Sequence, residues 1–169
     1  MRQVLGQFIF NIKYSDSLCI FLKDNNPDLR FAAGELKKYI QLAYNMEIRI
    51  VGEETGLRKG ALVLNICREY EKYDEFSISV EAGNLTISGS NKKSLLFGVY
   101  KFLEQYIGFK WNGPGYESIP SKVPGLIFVK SNNYKPDYTS RELLMKYYEY
   151  MGEGSAMQVN YPAMKAAVS

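Results

Sequence analysis

Trp111 and Arg141 are the side chains with the most to offer a ligand. Trp111 lies beside Asn112-Gly113-Pro114-Gly115, a loop able to expose an indole, and an exposed indole can stack on the apolar face of a sugar ring. Phe109, Tyr116, Tyr147, Tyr148 and Tyr150 are further aromatic candidates for such stacking. Packing in a core or at a domain interface is the commoner use of these residues, and spacing leaves both uses open. Arg141, within Tyr138-Thr139-Ser140-Arg141-Glu142, stands just inside a new apolar run. Its planar fork can clamp a hydroxyl or carboxylate there; a surface ion pair with an acid is the plainer alternative.

Other chemistries are excluded or weakly supported. The chain has no histidine, which removes Ser-His-Asp triads, histidine general bases and HExxH zinc sites. Cys19 and Cys67 are too few for a structural zinc site. Each lies in an apolar, strand-like run and is expected to be a buried free thiol, with a disulfide an option only in an exported protein. No metal and no cofactor are expected. Gly83, Gly89 and Gly98 do not form a phosphate-binding glycine pattern. Gly89-Ser90-Asn91 precedes a helix start, where an anion could sit, but a plain helix cap is the expectation. Glycoside hydrolysis needs two carboxyl groups facing each other across the scissile bond. Glu53, Glu54, Glu69, Glu71, Asp74, Glu75 and Glu81 are scattered, mostly in loops, so no catalytic pair is expected.

A formal net charge of +3 with interspersed signs lacks the basic block that nucleic-acid binding calls for. No stretch approaches the roughly 20 apolar residues of a membrane span. Residues 1–16 show no continuous apolar core or small-residue cleavage site, so no signal peptide is legible; a mature secreted protein would look the same. With 46% apolar and 23% charged residues over 169 positions, the composition is that of one globular domain with a real core.

The elements that must hold these residues can be read from periodicity. Phe8–Ile12 alternates as a half-buried strand, and Leu18–Leu22 reads as a more buried one. Asn26, Pro27 and Asp28 start a helix whose apolar face is Leu29, Ala32, Ala33, Leu36, Ile40 and Ala43, and Asn45 suits its left-handed stop. Ile48–Val51 and Ala61–Ile66 read as strands. Phe76–Val80 and Leu85–Ile87 flank an Ala82-Gly83-Asn84 turn as a hairpin. Ser90 or Asn91 caps a second helix with the stripe Leu95, Val99, Phe102, Leu103, Tyr106, ended by Gly108. Gly98 inside that helix costs about 1 kcal/mol relative to alanine; close approach to a neighbouring element would explain it. Leu126–Val129 is expected to return to the sheet as its last strand, and Ser131–Pro136 to be a linker. The order predicts an α+β fold, a two-layer α/β sandwich with a mixed sheet and both main helices on one face. Residues 1–135 would form this domain, and 136–169 a linker and the truncated start of a second.

Four segments carry a family resemblance. Phe31–Ile40 is similar to an "AAxELxxYL" helix. Asn84–Ser88 followed by Leu95–Glu104 is similar to a strand-then-helix segment ending in "YGVYxFLE". Gly108-Phe109-Lys110-Trp111, Pro114-Gly115 and Ile119-Pro120 are similar to its exit, and Pro136–Glu142 to its closing "PxFxxRE". Together they resemble the non-catalytic N-terminal domains that precede the catalytic barrel of alpha-glucuronidases and family 20 beta-hexosaminidases, over roughly Ser17 to Glu142. The resemblance implies the hexosaminidase domain-2 fold, zincin-like in shape but without the metal centre. It also implies an accessory role in carbohydrate metabolism, a catalytic barrel of the same or parent polypeptide as partner, and a periplasmic or secreted location. The catalytic carboxylates would then lie on the barrel, with Arg141 in the position that could help hold a sugar. A free-standing carbohydrate-binding module, taking an oligosaccharide at Trp111, and a protein-interaction module are the alternatives.

Overall fold

The computed structural model describes residues 7–11, 18–67, 74–113 and 116–136, the first of these segments by its backbone alone. The chain divides into two compact units, Met1–Pro136 and Asp137–Ser169, and every described residue belongs to the first. Arg141, Tyr147, Tyr148 and Tyr150 lie outside the described residues.

Along the chain come β1 (Gln7–Asn11), β2 (Cys19–Leu22), α1 (Pro27–Tyr44), β3 (Arg49–Val51), β4 (Leu62–Ile66), β5 (Phe76–Glu81), β6 (Asn84–Gly89), α2 (Lys92–Phe102), β7 (Lys110–Trp111), β8 (Glu117–Ser118), β9 (Leu126–Lys130) and β10 (Asn132–Tyr134). One six-stranded sheet has the order β10-β5-β6-β4-β2-β3. Its β6, β4, β2 and β3 are parallel, whereas β5 and β10 are antiparallel to their neighbours. Large apolar side chains alternate along these strands and meet the helices on one face. Ile20, Leu22, Leu62, Leu64, Ile78, Leu85 and Ile87 form a single buried cluster with Leu29, Ala33, Leu36 and Ile40 of α1 and Leu95, Val99 and Phe102 of α2. The fold is thus an α+β sandwich of a mixed sheet and one helical layer, as expected.

Local chemistry fixes the helix ends. The Asn26 side chain accepts from the Asp28 N–H at 2.8 Å, and Pro27 opens α1. Asn45 closes it in the left-handed region at φ 50°, its N–H donating to the Gln41 carbonyl. At α2 the Asn91 side chain accepts from the Ser94 N–H while Ser94 Oγ accepts from the Asn91 N–H, both at 2.9 Å. This reciprocal cap satisfies donors that the first turn leaves orphaned. A π-helical turn, Leu103–Ile107, extends α2, and Gly108 ends it at φ 100°.

Two expectations are corrected. Leu126–Val129 does not join the main sheet: β9 pairs with β1 in a separate two-stranded ribbon. Ile127 and Val129 still reach the core, so the alternation was legible but the partner was not. Ser131–Pro136 is not a linker, because it contains β10, the edge strand of the main sheet. The Tyr134 ring stacks on Phe76 at 4.6 Å, and this contact makes a strand of a short polar segment.

The second helix lies unusually close to the sheet. A Cβ at Gly89 would stand 2.3 Å from the Leu95 backbone nitrogen, and one at Gly98 would stand 2.8 Å from Ile87 Cγ2. Overpacking of this kind costs about 1–3 kcal/mol. Gly98→Ala therefore loses stability despite alanine's helix propensity, by up to about 2 kcal/mol net. Gly89→Ala loses more, because backbone cannot swing aside as a side chain can. Urea denaturation of both variants checks this order; a Gly98→Ala protein more stable than its parent would contradict the close-approach account.

Candidate functional site

The densest set of polar and aromatic side chains gathers around Tyr39. This tyrosine is 2% exposed, and its ring meets those of Tyr100, Phe109 and Trp111 edge-on, with centroids 6.0, 5.1 and 5.6 Å away. Trp111 also meets Tyr100 edge-on at 5.0 Å and stacks on Phe109 at 5.8 Å. The rings come from α1, α2 and the segment that leaves the π-helical turn. Edge-to-face pairs of this kind each add about 0.5–1.5 kcal/mol beyond area burial.

A chain of hydrogen bonds runs through the cluster. Trp111 Nε1 donates to the Tyr39 hydroxyl at 3.5 Å, and that hydroxyl donates to Glu117 Oε1 at 2.7 Å. Trp111 and Glu117 are also cross-strand partners in the β7–β8 pair, so both arms of this hairpin are tied to α1. The Tyr100 hydroxyl donates to Glu35 Oε2 at 2.6 Å, joining α2 to α1. Burial, and after it the Glu35 carboxylate, pushes the Tyr100 phenol far above the ordinary tyrosine value. The exposed Lys38 ammonium lies 4.7 Å from the Tyr39 ring centroid. Its pKa is raised chiefly by Tyr39, with smaller contributions from Glu117 and Glu35. A second tether lies nearby: Tyr44 donates to the Pro124 carbonyl at 2.8 Å, and burial raises its pKa to about 12.

The cluster is built to hold elements together. Each carboxylate has one oxygen engaged by a tyrosine of the domain itself, and the most central phenol is almost completely enclosed. Trp111 is half-buried within this network. The start of α2 is likewise filled from within: Ser90 Oγ accepts from the Glu75 N–H, Ser90 and Ser94 hydroxyls are 3.1 Å apart, and Asn91 Nδ2 donates to Asp74. Among the described residues no group of three or more His, Cys, Asp or Glu side chains could hold a metal ion, and no helix is long and apolar enough to cross a membrane. Cys19 and Cys67 are both free thiols; Cys19 is buried, which raises its pKa, and Cys67 is half-buried.

Sequence reasoning found Trp111 and Phe109 but missed Tyr39, Tyr100, Glu35 and Glu117 as parts of one site. Glu35 and Tyr39 are one turn apart on α1, a signal that was available. Their hydrogen-bond partners are 65 and 78 residues away in the chain, and no local pattern encodes that.

The described unit is therefore an α+β sandwich domain organised around a closed aromatic and carboxylate hub. No family model matches the chain, and a search of curated proteins finds no match either. Among solved structures, the GH20 beta-N-acetylhexosaminidase from Streptomyces coelicolor A3(2) is similar over 79% of this chain, at 13% identity and a TM-score of 0.57; the chain spans 25% of that protein's length. A beta-hexosaminidase of Streptomyces plicatus is similar over 73% of this chain and 23% of its own, at 13% identity and a TM-score of 0.48. A GH138 enzyme targeting pectin rhamnogalacturonan II is similar over 52% of this chain and 10% of its own, at 16% identity and a TM-score of 0.40. What the chain shares with the S. coelicolor enzyme is a fold, one found within a glycoside hydrolase.

Two outcomes follow from the hub. Trp111→Ala should cost about 2–3 kcal/mol in urea denaturation, somewhat less than truncating a fully buried ring; unchanged stability would mean the indole is not a packing residue. A tyrosine whose folded pKa is raised contributes stability that is whole below its unfolded value and is lost as pH climbs through the folded one. For Tyr44 that window runs from about 10.0 to about 12. Thermal stability should therefore fall across it, and more shallowly in Tyr44→Phe.

Proposed function

We propose that the unit 1–136 is a non-catalytic accessory domain of a glycoside hydrolase, bracing a catalytic barrel on the same or a partner polypeptide. The observation that carries this reading is the fold likeness to one quarter of a hexosaminidase. The closed state of the Tyr39 hub supports it, since Glu35 and Glu117 serve the domain's own tyrosines. Trp111 in this reading holds the β7–β8 hairpin and forms one edge of the surface turned to the barrel.

The helical side offers a surface for such a partner. Phe31 is 63% exposed, Phe97 43%, Tyr116 75% and Ile119 50%. Phe31 and Phe97 stand about one turn before Glu35 and Tyr100, which bond to each other, so the two rings occupy adjoining ridges of α1 and α2. At Gly34 nothing lies within 4 Å of where a Cβ would be, which leaves room for another backbone. Exposed apolar groups in such number suit a surface that a second domain covers.

An antibody to this domain, used on extracts of its source cells, tests the reading. The band should lie far above 19.3 kDa, or a 19.3 kDa protein should copurify with a glycoside hydrolase. The isolated chain should release no chromophore from a panel of nitrophenyl glycosides. A free native protein of this size without a hydrolase partner would overturn the proposal. So would turnover that survives purification and is lost in Glu35→Gln or Glu117→Gln.

A further inference from the structure

The face of the sheet away from the helices carries a row of polar side chains without partners among the described residues. Strand register sets it out: Asn133 pairs with Ser77, Ser77 with Ser88, and Ser88 with Asn65. Lys23, just past β2, continues the row, its N–H donating to the Leu64 carbonyl. Directly paired residues share a face, and strands lie about 4.8 Å apart, so the row is roughly 19 Å long. It forms the floor of an open cleft of about 400 Å³, flanked by Thr86, Glu81, Glu75 and Lys135.

Three properties separate this row from an ordinary wet sheet face. Ser77, Ser88 and Asn65 are half-buried. None of the five side chains of the row has a hydrogen-bond or ion-pair partner among the described residues. The floor is also polar where the same face is elsewhere apolar: Cys19, Phe21, Ala61 and Val63 form a buried cluster on the neighbouring strands. Hydroxyls and amides both donate and accept, so the floor matches a ligand whose own groups do the same at short intervals.

The charges select further. Lys135 is paired with Glu75 at 3.5 Å, leaving Lys23 as the cation of the cleft unpaired among the described residues, at one end of the row. The Glu81 carboxylate, which accepts from the Ser79 hydroxyl, stands at the opposite corner. A polyanion meets repulsion there, and a wholly neutral chain leaves Lys23 idle. We propose that this cleft binds a short oligosaccharide bearing a single terminal carboxylate, with the acid at Lys23 and the sugar hydroxyls along Asn65, Ser88, Ser77 and Asn133. The site is on the opposite side of the sheet from Trp111 and does not depend on the accessory-domain reading.

Matched probes test it: the alditols of maltotetraose, cellotetraose and chitotetraose, each against the corresponding aldonate, which has the same open-chain terminus and carries a carboxylate in place of the terminal hydroxymethyl group. In ¹H–¹⁵N titrations of the full chain, an aldonate should give saturable shifts centred on Lys23, Asn65, Ser77 and Ser88. It should bind about three- to fivefold more tightly than the matching alditol, the scale of an exposed charge pair. Lys23→Ala should abolish that preference, and Ser77→Ala with Ser88→Ala should weaken both probes while the spectrum stays dispersed. Absence of saturable binding by all six probes overturns the proposal. Shifts centred on Trp111, or equal affinity for acid and neutral forms, overturn it as well.

Discussion

The distance between α2 and the β5–β6 hairpin is the constraint on which the rest depends. Gly89, the last residue of β6, approaches Leu95 in the first turn of α2, and Gly98, in the middle of α2, approaches Ile87 of β6, both too closely for a Cβ. That approach lets Leu95, Val99 and Phe102 seat on Ile78, Leu85 and Ile87 with no exposed fraction. It also sets the height of Tyr100 over α1, and so the reach of its hydroxyl to Glu35. Were α2 an ångström further out, the 2.6 Å bond that links the two helices would open, and the ring contacts with Trp111 would loosen with it. The capping box at Asn91 and Ser94 belongs to the same junction, since it fixes where the helix begins relative to the strand that precedes it.

The sequence made the local parts of this arrangement legible. The start of α1 at Pro27 and its stop before Asn45 followed from cap chemistry, and both match. The hairpin between β5 and β6 followed from alternation and its turn, in which Ala82 and Gly83 both take positive φ. Gly98 was conspicuous because an exposed helix would not keep a glycine there, and close approach was the reason. What stayed hidden was pairing. Leu126–Val129 has a strand pattern that fits any edge, and only tertiary contact sends it to β1. Asn132–Tyr134 has no apolar alternation at all and is a strand because one ring, Tyr134, stacks on Phe76. The Tyr39 hub was hidden for the same reason, its bonds spanning most of the domain.

The two sides of the sheet spend their polar groups differently. On the helical side nearly every polar atom of the hub is committed inward: indole to phenol, phenol to carboxylate, ammonium against a ring. What that side leaves outward includes the rings of Phe31 and Phe97 among charged residues such as Arg30, Lys38 and Lys93. On the other side the alternation that buries Leu64 and Ile87 turns Asn65 and Ser88 outward, and the described residues supply them with no partner. A sheet covered by helices on one face commonly shows polar residues on the other. Long charged side chains satisfy that requirement and resist association; short hydroxyls and amides satisfy it while leaving a floor on which a ligand with its own donors and acceptors can replace solvent.

This asymmetry bears on how a domain of this kind can act within a larger protein. Exposed rings such as Phe31 and Phe97 on the helical side supply contact area without directionality, which suits a fixed neighbour whose position is set by covalent connection or tight assembly. A polar floor supplies direction without much area, which suits a small ligand that must be held and released. Because the helices lie on one side of a single sheet, the two surfaces face opposite ways and need not compete. The buried layer of Leu64, Ile87 and Ile78 lies between the polar floor and the hub. The fold therefore permits bracing and binding to be independent properties, separable by substitutions on one face that leave the other unchanged.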